Sequence, residues 1–397
     1  MTRRIAMVLV AALAAGCNQP SVKEAKQEAQ LRWQVARAKM QYGVALEYFK
    51  SGQLEKAGAQ VTESLAVAPE DAEARLLLGK VLIEQGHYTS AAVELARVCS
   101  QHPKSFEAAF MLGVAQEKTG RLDEALACYH KARALDPANP QPVMAAGEVL
   151  VAMGRLADAQ AYVEQHMALA GEEPGMQELA GRLALMLEDY AQAATAYAHA
   201  LDLDPANARY REALGQAQFR CRQYAEAAQT LRPLRTTPKY ACPAWVLTML
   251  GDCALAQGRS QEAREAFAAA RELEPSNPRA WTNVAKASLA AGEAARAADA
   301  AQEALRLDPK ASDAMIVWGY ALLREGKVQE ALTMLGGAVE AFPNDVLLRC
   351  LLGKAHAAAG DPAQAATCYA AALKAEPNNP LPRELMAAMG PTARGTE

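Results

Sequence analysis

The sequence predicts an all-α fold, an α-solenoid of about ten helix-turn-helix units of 34 residues with capping helices at its ends. Two observations predict it. The first is alanine: 51% of the 397 residues are hydrophobic but only 6% are aromatic, and alanine combines the best helix propensity with a side chain small enough for helices to approach closely. The second is a period. Gly52, Gly86, Gly120 and Gly154 lie 34 residues apart, each five residues before an alanine (Ala57, Ala91, Ala125, Ala159). The alanine register continues to Ala193 and Ala227, then resumes two residues late at Ala263, Ala297, Ala331 and Ala365. A fixed period of this length marks a repeat array. A charged fraction of 22% beside this apolar content excludes wholesale disorder, and a net charge of −4 argues against a general nucleic-acid binder.

Residues 1–16 read as a lipoprotein signal peptide. Arg3 and Arg4 give it a positive start, and Ile5 to Ala15 an apolar stretch of 11 residues. That is too short for a bilayer-spanning helix, which needs roughly 20. The run Leu13-Ala14-Ala15-Gly16-Cys17 resembles the bacterial lipobox, with its leucine one place early. By that resemblance Cys17 carries the lipid, and Asn18 behind it directs the protein to the outer membrane, facing the periplasm. Several acyl chains exceed the marginal hold of a single one. An ordinary signal peptide with an incidental cysteine is the competing reading. Residues 17–37 follow as a lipidated linker and a charged leading helix, opened by the capping-box pattern Ser21-Val22-Lys23-Glu24.

Residues 38–379 hold the array, with units starting at 38, 72, 106, 140, 174, 208, 244, 278, 312 and 346. Position eight of each unit is small: Ala45, Gly79, Gly113, Gly147, Gly181, Gly215, Gly251, Ala285, Gly319 and Gly353. Position 24 is large at Tyr129, Tyr197, Phe267 and Tyr369 but not at Ala301. Position 32 is proline at Pro69, Pro103, Pro137, Pro205, Pro275, Pro309, Pro343 and Pro377. This pattern resembles the tetratricopeptide repeat family over nearly all of the chain beyond Cys17, and the resemblance implies a right-handed superhelix of antiparallel hairpins. The physics agrees. Small residues at positions eight and 20 let the two helices of a hairpin meet, glycine at position 15 ends the first helix at positive φ, and proline at position 32 stops the second. Asn139-Pro140 and Asn277-Pro278 restart the chain as cap and first turn. One hairpin cannot bury its own apolar face, so the units stack. In residues 380–397, Leu381 to Met389 form a short closing helix, halted by Gly390-Pro391, before a disordered tail.

No catalytic constellation appears. The six histidines form neither HExxH nor HxxxH, and no Walker loop or GxSxG elbow is present, so no enzyme, no cofactor and no metal are expected. The eight cysteines include no CxxC. Cys350 and Cys368, at positions five and 23 of the last unit, sit at one level of the hairpin and are open to two readings, a disulfide or buried reduced thiols.

In the resembled family, positions two, five, nine, 12 and 13 line a concave groove. The carboxylate clamp known there needs basic residues and asparagine in successive units, whereas Lys39 and Lys286 stand alone. The early units instead offer Tyr42, Leu46, Phe49, Leu76, Ile83, Phe110 and Val114, which suit a partner protein's amphipathic helix or extended peptide; packing between helices is the alternative use. The sixth unit departs from the pattern. It has Arg222 for glycine, Pro233 within its expected second helix, Lys239 for proline, two extra residues and a surplus of arginine. Such departures tend to mark functional or strained places, so the array is expected to divide there. Arg209, Phe219 and Arg220, with Arg182 before and Trp245 after, form a candidate patch for an acidic partner segment.

The expected function is a non-enzymatic interaction scaffold, held to the membrane by its lipid alone and without nucleic acid, similar in layout to the lipoproteins that assist pilus secretin assembly or recruit cell-wall hydrolases. The alternatives are an accessory to exopolysaccharide synthesis or export, and a substrate-recruiting partner of a separate glycosyltransferase.

Overall fold

The structure, a computed structural model, describes residues 22–237 and 240–389. Among these it holds 21 α-helices and one short 3-10 helix, with no strand. The chain divides into two compact units, Met1–Leu183 and Ala184–Glu397. The first contains α1 (Val22–Lys50), α2 (Leu54–Val67), α3 (Ala72–Glu84), α4 (Tyr88–Gln101), α5 (Phe106–Lys118), α6 (Leu122–Leu135), α7 (Gln141–Ala152) and α8 (Leu156–Ala170), and ends inside α9 (Pro174–Met186). The second continues with α10 (Tyr190–Leu203), α11 (Ala208–Arg220), α12 (Tyr224–Leu231), α13 (Ala244–Ala256), α14 (Ser260–Leu273), α15 (Pro278–Ala290) and α16 (Ala294–Leu307). It closes with α17 (Ser312–Arg324), α18 (Val328–Ala341), α19 (Val346–Ala358), α20 (Pro362–Ala375) and α21 (Pro380–Ala388). The leading segment and the first helix of the array are one continuous helix, α1. The signal segment and Cys17 lie outside the described residues, as do Lys239 and the tail from Gly390.

Most hairpins close because a small residue on the first helix receives a large one from the second; at Gly147 the large residue is instead Leu179 of the next hairpin, 2.7 Å from an added Cβ. A Cβ added to Gly113 would come 2.6 Å from the Tyr129 ring, and one on Gly251 would come 2.5 Å from Phe267. Both rings are 1% exposed. In two hairpins the second-helix residue is smaller and the first helix carries alanine: Ala45 with Val61 and Ala285 with Ala301, all four fully buried. Eight turns between the helices pass through a glycine with φ between 72° and 83°, whereas Glu188 and Arg222 take the same turn at 60°. An L side chain in that region costs of order 1 kcal/mol or more.

Two features of the array were not expected. First helices begin on side-chain caps, with Asp71, Ser105, Asn207, Asn277 and Asp345 each accepting a backbone N–H of the first turn, but a second bond recurs beside them. Six residues before a donor in the first turn, the carbonyl at the end of the preceding hairpin accepts its hydrogen bond. The donors are Arg75 to Pro69, Gln177 to Gly171 at 2.8 Å, Arg211 to Pro205 at 3.0 Å, Trp281 to Pro275 at 2.9 Å, Arg349 to Pro343 at 2.6 Å, and Arg383 to Pro377. These carbonyls have left the helical ladder and would otherwise go unpaired or rely on water.

The second feature corrects the reading of the sixth repeat. Pro233 is not inside a helix: α12 ends at Leu231 after eight residues, and Arg232–Arg235 turns as the 3-10 helix with Pro233 at its start, where no N–H is needed. Buried Leu234 keeps this turn on the core beside Leu231, Val246 and Leu250. The boundary between the compact units falls one repeat earlier, in α9.

Candidate functional site

In the first unit, the residues expected at a groove are half-buried and rooted in three successive core clusters. Tyr42, Leu46 and Phe49 of α1 pack on Ala45, Val61 and Leu77. Leu76 and Ile83 of α3 pack on Leu95 and Leu112. Phe110 and Val114 of α5 pack on Tyr129 and Val149, and the Phe110 ring lies 6.0 Å from Phe106 and 5.5 Å from Tyr129. Part of each side chain is therefore spent on holding helices together, and part remains open. Carboxylates edge this band. Burial raises the Tyr42 phenol above its ordinary range, and Glu73, Asp71 and Glu107 push it further. Glu107 is ion-paired with Lys80. Arg182, at the end of this unit, pairs with Glu148.

The second unit divides the arginine–aromatic set. Arg209 lies in the first turn of α11 and Arg220 is its last residue, about 16 Å apart along the axis. Arg209 acts on Glu212, whose carboxyl is raised by burial and lowered by that guanidinium. Arg220 lies 5.2 Å over the Tyr190 ring. Phe219 and Trp245, by contrast, are brought together: both line one pocket of about 340 Å³ at the first-helix faces of α13 and α15, with Asp252, Glu274, Arg279 and Asn283. The adjoining pocket, about 520 Å³, shares Arg279 and Asn283 and continues to Lys286 and Asp313, which are ion-paired at 2.7 Å. Sequence reasoning did not single out Asp252, Arg279 or Asn283. The signal was present in part, because Asp252 and Arg279 occupy positions nine and two.

The seven described cysteines are free thiols. Burial pushes the Cys350 thiol up to about 11, with neighbouring Cys368 adding to the effect, and burial raises the Cys368 thiol as well, which disfavours the thiolate form in both.

Comparison with known proteins agrees with this architecture. Three sequence profiles described as tetratricopeptide repeat match residues 178–241 and 248–312, residues 48–115 and 322–389, and residues 106–139. No curated protein matches the chain. Among solved structures, a tetratricopeptide repeat protein from Parabacteroides merdae is similar at 15% identity, covering 60% of this chain and 93% of that one with a TM-score of 0.46. The APC/C hetero-tetramer Cut9–Hcn1 is similar at 16% identity, covering 90% and 76% with a TM-score of 0.43. Pseudomonas aeruginosa pilF is similar at 21% identity, covering 52% and 93% with a TM-score of 0.43. With matched repeats across both units and the hairpin packing described above, the chain belongs to the tetratricopeptide repeat family, whose arrays generally act as non-catalytic scaffolds for other proteins.

Proposed function

We propose that the protein is a lipid-anchored, periplasm-facing scaffold of the outer membrane that assists assembly of an envelope complex by holding an amphipathic helix or extended peptide of a partner protein. One observation carries the binding reading: Tyr42, Leu46, Phe49, Leu76, Ile83, Phe110 and Val114 stay partly open on the first-helix faces of three successive hairpins. A row of apolar anchors at helical spacing is what such a peptide uses. The carboxylate of Glu73 beside it, which unlike Glu107 has no ion pair to a basic side chain among the described residues, favours a partner with basic residues flanking its apolar ones. The anchor is assigned to Cys17 on the lipobox resemblance.

Two experiments test this. Replacing Cys17 with serine releases the protein from the membrane fraction into the soluble periplasm; retention as tight as wild type overturns the anchor. A photo-crosslinking residue placed at Val114 in intact cells gives a discrete adduct with an envelope protein, and the adduct is lost when Leu46→Glu and Phe110→Glu are introduced with helicity preserved. Adducts from exposed second-helix positions but none from Val114 overturn the groove.

A further inference from the structure

The pocket between Phe219, Trp245 and α15 differs in chemistry from the apolar band of the first unit. Trp245 is 42% exposed and offers a flat apolar surface, while Phe219 lines the same pocket, edge-on to Tyr224 at 5.5 Å. Around this surface stand a carboxylate, an amide and a guanidinium: Asp252, Asn283 and Arg279. Among the described residues no hydrogen bond or ion pair occupies any of these three side chains; the bond from Arg279 to Asn277 is made by its backbone N–H. Asp252 is half-buried, and burial raises its carboxyl above the ordinary range against the opposing pull of Lys286, whose ammonium is committed to Asp313. Asp252 and Asn283 are half-buried and Arg279 is exposed, so all three present polar atoms that a ligand entering the pocket can reach.

The charges narrow the ligand. Across the two adjoining pockets Asp252, Glu274, Asp308 and Asp313 stand against Arg279, Lys286 and Lys310, which is close to balance. An acidic segment would meet Asp252 and Glu274, and a basic one would meet Arg279, so neither sign has complementarity along the trough. A neutral ring bearing many hydroxyls suits every group present. Its C–H face lies on the indole, and planar carboxylate, amide and guanidinium groups each engage neighbouring hydroxyls at two points. The first pocket falls within the size range of small-ligand sites, and the second provides room for the next residue of a chain.

We propose that this cleft is a carbohydrate-binding site, taking a neutral sugar residue of a longer glycan against Trp245 with Asp252, Asn283 and Arg279 on its hydroxyls. The site stands apart from the protein-partner reading, which rests on the first unit, so either can fail without the other. The test is calorimetric titration of the full-length protein with maltotetraose, cellotetraose and tetra-N-acetylchitotetraose. At least one binds with a dissociation constant in the micromolar to millimolar range. Trp245→Ala and Asp252→Ala each weaken that binding by at least about tenfold with unchanged circular dichroism, whereas Leu46→Glu in the first unit leaves it intact. Absence of binding by all three sugars at millimolar concentration overturns the proposal, as does undiminished binding by Trp245→Ala. A crosslinked protein segment mapped onto Trp245 in sugar-silent protein would reassign the cleft to peptide.

Discussion

In the hairpin of residues 244–277 the first helix presents Gly251 to Phe267; in the next hairpin, 278–311, the same two places hold Ala285 and Ala301. Both pairs are sealed from solvent, yet the volume between the helices is distributed in opposite ways. In the first, one ring fills the space and no Cβ is tolerated opposite it. In the second, a cluster of Ala297, Ala298, Ala300 and Ala301 leaves room that Trp281, Val284 and Trp318 close from neighbouring positions. The constraint is thus on the pair and its surroundings, as expected of a close-packed interior, and a single off-pattern residue such as Ala301 is not a defect.

The comparison can be broken most severely by Phe267→Ala, which leaves Gly251 facing a void; denaturant unfolding is expected to show a loss of about 3–5 kcal/mol. Next, Ala301→Phe in the alanine hairpin costs about 1–3 kcal/mol by overpacking. Adding Ala285→Gly restores a substantial part of it, and a double-mutant cycle reads the coupling; strictly additive losses would show that the two places are not a pair. Trp281→Phe keeps the ring between the two hairpins but removes its N–H from the Pro275 carbonyl, a loss of about 1 kcal/mol. The smallest effect sharpens the contrast by reaching back one hairpin. Both compared hairpins turn through glycine, at Gly258 and Gly292, whereas the one before them turns through Arg222 at φ 60°. Arg222→Gly is expected to raise stability by about 0.5–1 kcal/mol, visible as a higher melting temperature.

Much of the fold was legible in the sequence because its rules are local. Position-15 glycines end helices whatever lies beyond them, and the 34-residue spacing of small and large residues reports a contact inside one hairpin. Pro233 was misplaced because position counting assumed a second helix of ordinary length; the chain stops α12 at Leu231 and turns sooner. The candidate sites were less legible. Phe219 and Trp245, both at groove positions, line one pocket, whereas Arg209 lies at the other end of α11 from Phe219 and Arg220, a separation that groove positions alone do not register. Asn283 and Glu274 join the pocket through the crossing of α13, α14 and α15, a relation between helices that no single helix encodes. The six-residue bonds left a periodic trace of Arg, Gln or Trp at position four, but their acceptors are carbonyls, which every residue has and no pattern marks.

Those bonds have a mechanical consequence. Where the fourth residue is a donor, a brace spans the joint between consecutive hairpins. After Pro103, Pro137 and Pro309 the corresponding residues are Ala109, Val143 and Met315, whose side chains cannot serve. Leu247, at the same place in the hairpin of residues 244–277, cannot serve either, so four joints lack this brace and rely on other contacts. Each such donor is one link across its joint, beside pairs such as Lys80 with Glu107 and Lys286 with Asp313, and deleting one whose bond is exposed, as at Arg211 or Arg349, loosens that joint without opening a hairpin core.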